Sequence, residues 1–264
     1  AQITADHILE ILKPIWVDKT ETATRIRERI EKIIGAGAAM GIPITSNPAT
    51  WKGNLEFRLA KPSKVKNETH FPAMPHQILS DFWLELTDKT TDGSRALQLI
   101  ILTAARTSEI LLAKRSEIDL TNNIWTIPAE RVKTKKEHVI PVTEQMKSII
   151  ERQIKKYSSE LLFPGSRYGK PLSNMTCLKV MKDLGYTTLE ANGSKGHFVP
   201  HGFRSTFSTW AFENGKYGFE VIESCLGHNV GNSVHRAYQR STLLNRRKTL
   251  MTDWNNFVTG TDNE

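Results

Sequence analysis

The chain has 264 residues, 39% of them apolar and 24% charged, enough for one large core or for a small and a large domain, and too apolar for a disordered chain. Thirty-six Lys and Arg against 28 Asp and Glu leave a net charge of +8, which suits a polyanionic partner such as nucleic acid but also fits many ordinary basic proteins. The two cysteines, Cys177 and Cys225, exclude a disulfide framework and a CxxC metal site, and no run of about 18 apolar residues offers a membrane span.

No signal-peptide pattern opens the chain, so a cytoplasmic protein is expected. It begins at Ala1 without an initiator Met and enters a helix almost at once, as a piece of a longer protein does. Thr4 stands as an N-cap, after which Ile8, Leu9, Leu12 and Ile15 recur at helical spacing. Residues 20 to 40 predict a second, amphipathic helix with Ala23, Ile26, Ile30, Ile33 and Ile34 on one face and Arg25, Arg29 and Lys32 turned away. Its run Gly35-Ala36-Gly37-Ala38-Ala39 predicts close packing by another backbone. From Lys61 to Pro75 the sequence turns polar and Pro-punctuated, which predicts a linker at 61–75 between a helical domain at 1–60 and a larger domain at 76–264. Its Lys61, Lys64 and Lys66 suit a phosphate backbone or a solvated loop equally well.

Residues 76 to 87 and 94 to 113 predict helices, the second rich in Leu and Ile. Then the period changes. Ile124-Trp125-Thr126-Ile127-Pro128 and Glu137-His138-Val139-Ile140-Pro141 read as short strands, with the basic run Arg131 to Lys136 as the turn between them. Helical spacing returns over 143–157, 173–184, 203–214, 218–226 and 241–257. The expected fold is mainly α with a small antiparallel β-sheet, without internal repeats and without the strand-helix alternation of a parallel sheet. Both cysteines fall within apolar helical patterns and are expected as buried free thiols.

Several residues can carry chemistry. Arg106 interrupts an apolar run from Leu97 to Leu112, so it should be partly buried and need a partner. Glu109, one turn on, either holds it in orientation for a ligand or forms a plain buried bridge with it. His201 and Arg204 lie three apart after Pro200, on one face of a helix start, where an imidazole and a guanidinium fork can meet one anion. Taken alone, that pair reads more readily as a helix-start His with a solvent Arg. Lys133 sits in the basic turn, where an ammonium can reach a leaving oxygen, and the residues alone do not say which lysine does so. Lys135 and Lys136 suit phosphate contacts or a solvated turn, and His138 a packed strand. His228 follows Leu226-Gly227, a helix stop that lets the imidazole point outward or fill a core gap. Tyr238 lies between Arg236 and Arg240, and a phenol of ordinary pKa near 10 needs such cations or a base to attack phosphorus. No HExxH pattern or close acidic cluster suggests a metal, so side-chain cations are expected to replace one and no cofactor is expected.

In this order the residues resemble the tyrosine recombinases, especially integrases of temperate phages and genomic islands. The resemblance spans about residues 70 to 260 and includes the Lys-then-His-Val-Pro pattern, met by Lys133 and His138-Val139-Ile140-Pro141, and the tail Arg246-Arg247-Lys248 with Met251-Thr252-Asp253-Trp254. It implies a two-domain DNA clamp, with residues 1 to 60 as the later helices of a core-binding domain. It also implies an active site of Arg106, Lys133, His201, Arg204, His228 and Tyr238, supported by Glu109. The implied activity is site-specific strand exchange through a 3′-phosphotyrosyl link, for integration or excision of a mobile element. Implied partners are double-stranded DNA at attachment sites, three further copies of the chain in a tetramer, and accessory proteins for excision or DNA bending. The bacterial nucleoid would be its place of action. Two other readings stand beside this one: a type IB topoisomerase, recognised by relaxation without site dependence, and a DNA-binding regulator in which the six residues are idle.

Overall fold

The computed structural model describes residues 3–65, 72–188, 195–228 and 243–261. The chain divides into two compact units, Ala1–His70 and Phe71–Glu264.

In the first unit, α1 (Ala5–Trp16) and α2 (Thr20–Ala39) pack together, and a 3-10 turn at Leu55–Phe57 and a short helix α3 (Pro62–Val65) follow. Ile8, Leu9, Leu12 and Trp16 bury the α1 stripe against Ala23, Ile34, Ala49, Leu55 and Leu59. The Trp16 ring stacks on Trp51 at 5.7 Å, and its indole N–H donates to the Ala60 carbonyl at 2.9 Å. The α2 stripe is rotated from the expected one. Ile33 is 71% exposed, while Arg27 turns inward and donates to Glu31 at 2.6 Å and to the Ala49 carbonyl at 2.9 Å. Positions 23, 27, 30 and 34 make one helical row, and Ile33 stands a full residue step, about 100°, away from Ile34. The Gly-Ala run faces returning side chains rather than another backbone: a Cβ on Gly37 would lie 3.3 Å from Ile42 Cδ1. Residues 62–65, expected in an irregular linker, form α3, and Val65 packs on this unit's core.

The second unit is built around α5 (Asp92–Thr103), in which Leu97, Leu99, Ile100, Ile101 and Leu102 are all fully buried. A helix apolar on every side belongs in the centre of a fold. Around it pack α4 (Leu79–Thr87), α7 (Glu144–Lys156), α8 (Asn174–Asp183), α9 (Phe203–Asn214) and α11 (Leu244–Thr259). The helix expected over 94–113 is broken: α5 stops at Thr103, and α6 (Thr107–Leu111) starts afresh after Arg106. The short α10 (Phe219–Cys225) packs on α9 and α11.

Strands β1 (Ile118–Asp119), β2 (Ile124–Ile127) and β3 (His138–Pro141) form an antiparallel sheet in the order β1-β2-β3. The register pairs Trp125 with Ile140 and Ile127 with His138, and all four side chains point to the core. A second ribbon, β4 (Thr187–Thr188) with β5 (Gly196–His197), was not expected from the sequence. Cys177 and Cys225 are free and buried, and burial pushes their thiols up to about 12 and about 11. Among the described residues, no helix is long and apolar enough to cross a membrane.

Candidate active site

The break after α5 positions the first guanidinium. Ala104 takes a left-handed conformation (φ 50°, ψ 21°), a cost an alanine bears only where its surroundings demand it. The demand comes from the carbonyls left free at the helix end. The Trp254 indole takes the Ile101 carbonyl at 2.9 Å, the Asn255 amide takes that of Leu102 at 2.9 Å, and Arg204 takes that of Ala104 at 2.6 Å. Turned out of the helix, Arg106 becomes the N-cap of α6. Glu109 receives its backbone N–H at 2.9 Å and its Nη1 at 2.8 Å. The Glu109 side chain is fully buried and that of Arg106 is 15% exposed, so the carboxylate anchors the fork from below and leaves its outer edge open.

Arg204 enters from the start of α9. Ahead of it the turn Pro200–Gly202 presses on the chain at Pro72, where a Cβ on Gly202 would lie 2.3 Å from the Pro72 carbonyl, so only glycine fits. Arg204 is buried, and no carboxylate pairs with it among the described residues. Its Nη1 donates to the Ala104 carbonyl, while Nη2 donates to the Leu226 carbonyl at 2.8 Å and to His228 Nε2 at 3.0 Å. A guanidinium has only donors, so Nε2 accepts, and the ring proton of His228 resides on Nδ1, which donates to Glu223 Oε2 at 2.8 Å. Burial first and the charge of Arg106 second pull Arg204 down to about 10, still charged at neutral pH.

His201 lies in the turn before α9, three residues from Arg204 and on the same side of the chain. Burial lowers its pKa below the ordinary imidazole value, and the charges of Arg204, Arg106 and Lys133 lower it further, so it is a neutral base at pH 7. Lys133 projects from the loop between β2 and β3 next to the buried Val132, and its charge reaches His201. Lys135, at φ 55°, and Lys136 are exposed in the same loop.

Beneath these groups lies His138. Its side chain is buried, and among the described residues neither ring nitrogen has a hydrogen-bond partner of good geometry, the Cys225 backbone being the nearby polar group. Burial first, then Arg247, Arg204 and Arg106, push its pKa down to about 3 against the Cys225 backbone nearby. Gly227, in left-handed geometry (φ 63°), lies flat on the His138 ring, where a Cβ would come within 3.0 Å of Nδ1. Arg247 of α11 is also buried and donates to the Val139 carbonyl. The site's histidines are thus pushed toward neutrality by burial first and by the neighbouring cations second, and the same cations would favour an anion. Among the described residues, no group of three His, Cys, Asp or Glu could hold a metal ion.

Arg106, Glu109, Lys133, His201, Arg204 and His228 therefore come together in the second unit. Tyr238 and Lys66 lie outside the described residues. Lys61 and Lys64 are exposed side chains of the first unit. The structure adds Glu223, His138 and Arg247. A Glu five residues before a helix-end His is a signal the sequence carries; that His138 faces Gly227 is visible only in three dimensions.

Known structures with this fold include the lambda integrase tetramer bound to a Holliday junction, with a TM-score of 0.62 at 17% identity over 88% of this chain and 66% of that one. The Tn1549 transposon integrase in complex with circular intermediate DNA gives 0.57 at 16% identity over 93% of this chain and 81% of that one. The fold is thus that of the tyrosine recombinase integrases. The phage integrase family matches residues 79–243, and the phage integrase central domain matches residues 1–54. The chain belongs to the phage integrase family. The prophage integrase IntZ of Escherichia coli (strain K12) is 30% identical over 254 residues, covering 96% of this chain and 59% of that protein. The integrase of Enterobacteria phage P4 is also 30% identical, over 97% of this chain and 60% of its own length. The chain spans about three fifths of the length of these relatives.

Proposed function

We propose that this chain is the DNA-cutting and rejoining part of a site-specific recombinase that integrates and excises a mobile element. The observation that carries the reading is Arg204: a buried guanidinium held by two carbonyls and a neutral imidazole, with no carboxylate in direct contact among the described residues and only Glu109 and Glu223 acting on it from farther off. A phosphodiester is the counter-ion it lacks, and Arg106 lies close enough to lower its pKa.

Tyr238 attacks the scissile phosphorus, forming a 3′-phosphotyrosyl bond as the bond to the 5′-oxygen breaks. Arg106 and Arg204 bind the non-bridging oxygens, whose charge grows in the transition state. His201, neutral at pH 7, takes the phenol proton, and Lys133 gives one to the departing 5′-oxygen. His228 donates to a phosphoryl oxygen once Nε2 exchanges its bond from Arg204 for a proton, and Glu223 stabilises the resulting imidazolium. Attack by the 5′-hydroxyl of a partner strand reverses the chemistry without ATP or metal, because the protein link conserves the phosphodiester's energy. Four copies on two duplexes make the exchange, as the tetrameric lambda integrase on a Holliday junction suggests. Lys61, Lys64, Lys66, Lys135 and Lys136 follow the backbone of the attachment-site DNA. Accessory proteins set the direction on the bacterial nucleoid.

The test is a nicked duplex copied from the boundary of the encoding element, run in denaturing gel with the wild-type chain and with Tyr238→Phe. A denaturant-resistant protein-DNA band in the wild type alone is expected. An equal band in the variant would remove Tyr238 as nucleophile.

A further inference from the structure

Arg131 stands at the start of the loop that carries Lys133, and nothing in the chemistry above uses it. Its side chain is 14% exposed and points back into the fold rather than out to solvent. Its Nη2 donates to Glu117 Oε2 at 2.6 Å and to the backbone carbonyl of Glu109 at 3.2 Å. Glu117, 6% exposed, ends the turn before β1, and its Oε2 also receives the Trp125 indole N–H from β2 at 3.2 Å. One guanidinium thus ties the Lys133 loop to the sheet and to the helix that carries Arg106 and Glu109.

The arrangement is costly. Arg131 Nε and Nη1 and Glu117 Oε1 are buried without a hydrogen-bond partner among the described residues. A buried ion pair adds little net stability over an apolar pair of the same size, and unpartnered polar atoms subtract from it. A basic turn needs no such pair, since Lys135 and Lys136 of the same loop face solvent. What the pair supplies is a fixed distance between the loop and α6.

We infer that Arg131 is a positioning residue that holds Lys133 at the leaving oxygen. The inference rests on the strand-transfer reading. In that reaction the tyrosine oxygen bonds to phosphorus, the P–O5′ electron pair goes to the 5′-oxygen, and a proton passes from Lys133 Nζ to that oxygen, leaving a neutral amine. Without Arg131 the loop loses its tie, and a proton donor displaced by about 1 Å slows the step on the order of 100-fold.

The test uses the same nicked boundary duplex with either oxygen or sulfur at the bridging 5′ position of the mapped scissile phosphate. A thiolate departs without a proton. Arg131→Ala should cleave the oxygen substrate about 100-fold more slowly than the wild type and the sulfur substrate at the wild-type rate. Arg131→Lys, which keeps the charge but loses the fork, should fall between on oxygen and match the wild type on sulfur. The ratio of the two rates does not depend on how much of a variant is folded, so poor folding leaves it readable. An equal loss on both substrates overturns the inference, because Arg131 would then serve the fold or Arg106. Absence of covalent product from the wild-type chain on either substrate overturns the strand-transfer reading, and this inference with it.

Discussion

Arg106 and Arg204 face the same point and are mounted in opposite ways. Arg106 rests on a carboxylate, Glu109, which fixes its direction and cancels much of its charge. Arg204 rests on the Ala104 and Leu226 carbonyls and a neutral His228, which fix its direction without a direct ion pair, Glu109 and Glu223 acting on it only from farther off. A carboxylate mount costs less desolvation, whereas a carbonyl mount keeps the field. In the proposed reaction the first arginine would orient a phosphate, and the second would draw it in and stabilise the charge that develops.

That contrast can be broken by experiment. The largest effect is expected for Arg204→Lys, because a single ammonium cannot serve two carbonyls, an imidazole and a phosphate. Cleavage should drop by roughly 1,000-fold while duplex binding changes only a few-fold, as followed by adduct formation and by gel shift. Parallel losses in binding and cleavage would make Arg204 a mere anchor. Burial first and the same cations second act on His138, whose pKa of about 3 lies below its unfolded value near 6.5. The unfolded chain then binds the extra proton as pH falls below about 6.5, so this group's stability is present above that value and is lost toward pH 3. The loss is roughly 2 kcal/mol between pH 6.5 and 4.5, and urea melts of His138→Phe should show a flatter pH dependence than the wild type. Arg106→Ala should cost about 2 kcal/mol of stability by leaving Glu109 buried and unpaired, and adding Glu109→Gln should recover most of it. No recovery in the double variant would show that the pair is not the source of the cost. The smallest effect belongs to Glu223→Gln, which leaves the His228 contact neutral on both sides and should slow cleavage about tenfold.

Arg106 stands out by its place in an apolar run, and His201, Arg204 and His228 by their helix-start and helix-stop surroundings, but the residues alone leave each open to a plain structural role, and only the family resemblance implies one site. The strands flanking Lys133 could be recognised from their change of period. The break at Ala104 could not, because no Gly, Asn or Asp marks the left-handed residue. Arg204, a hundred residues later, takes the carbonyl that the break exposes. Ile33 misled for a related reason: on a helix with apolar residues at adjacent positions, the stripe is chosen by what packs against it, here the buried Arg27 and its partners. Arg131 read as one more cation of a basic turn, since only the folded chain brings Glu117 and the Glu109 carbonyl to it.

The carbonyl mount has a further consequence. Ala104 and Leu226 offer their oxygens to Arg204 only when α5, α9 and α10 are docked, and Trp254 and Asn255 of α11 close the neighbouring carbonyls of the same helix end. The charge proposed to capture a phosphate is thus assembled by the same contacts that complete the core. Under that proposal, a chain emerging from synthesis or beginning to unravel would lose its grip on DNA as it loses its shape, an interlock against stray nicking by half-folded molecules.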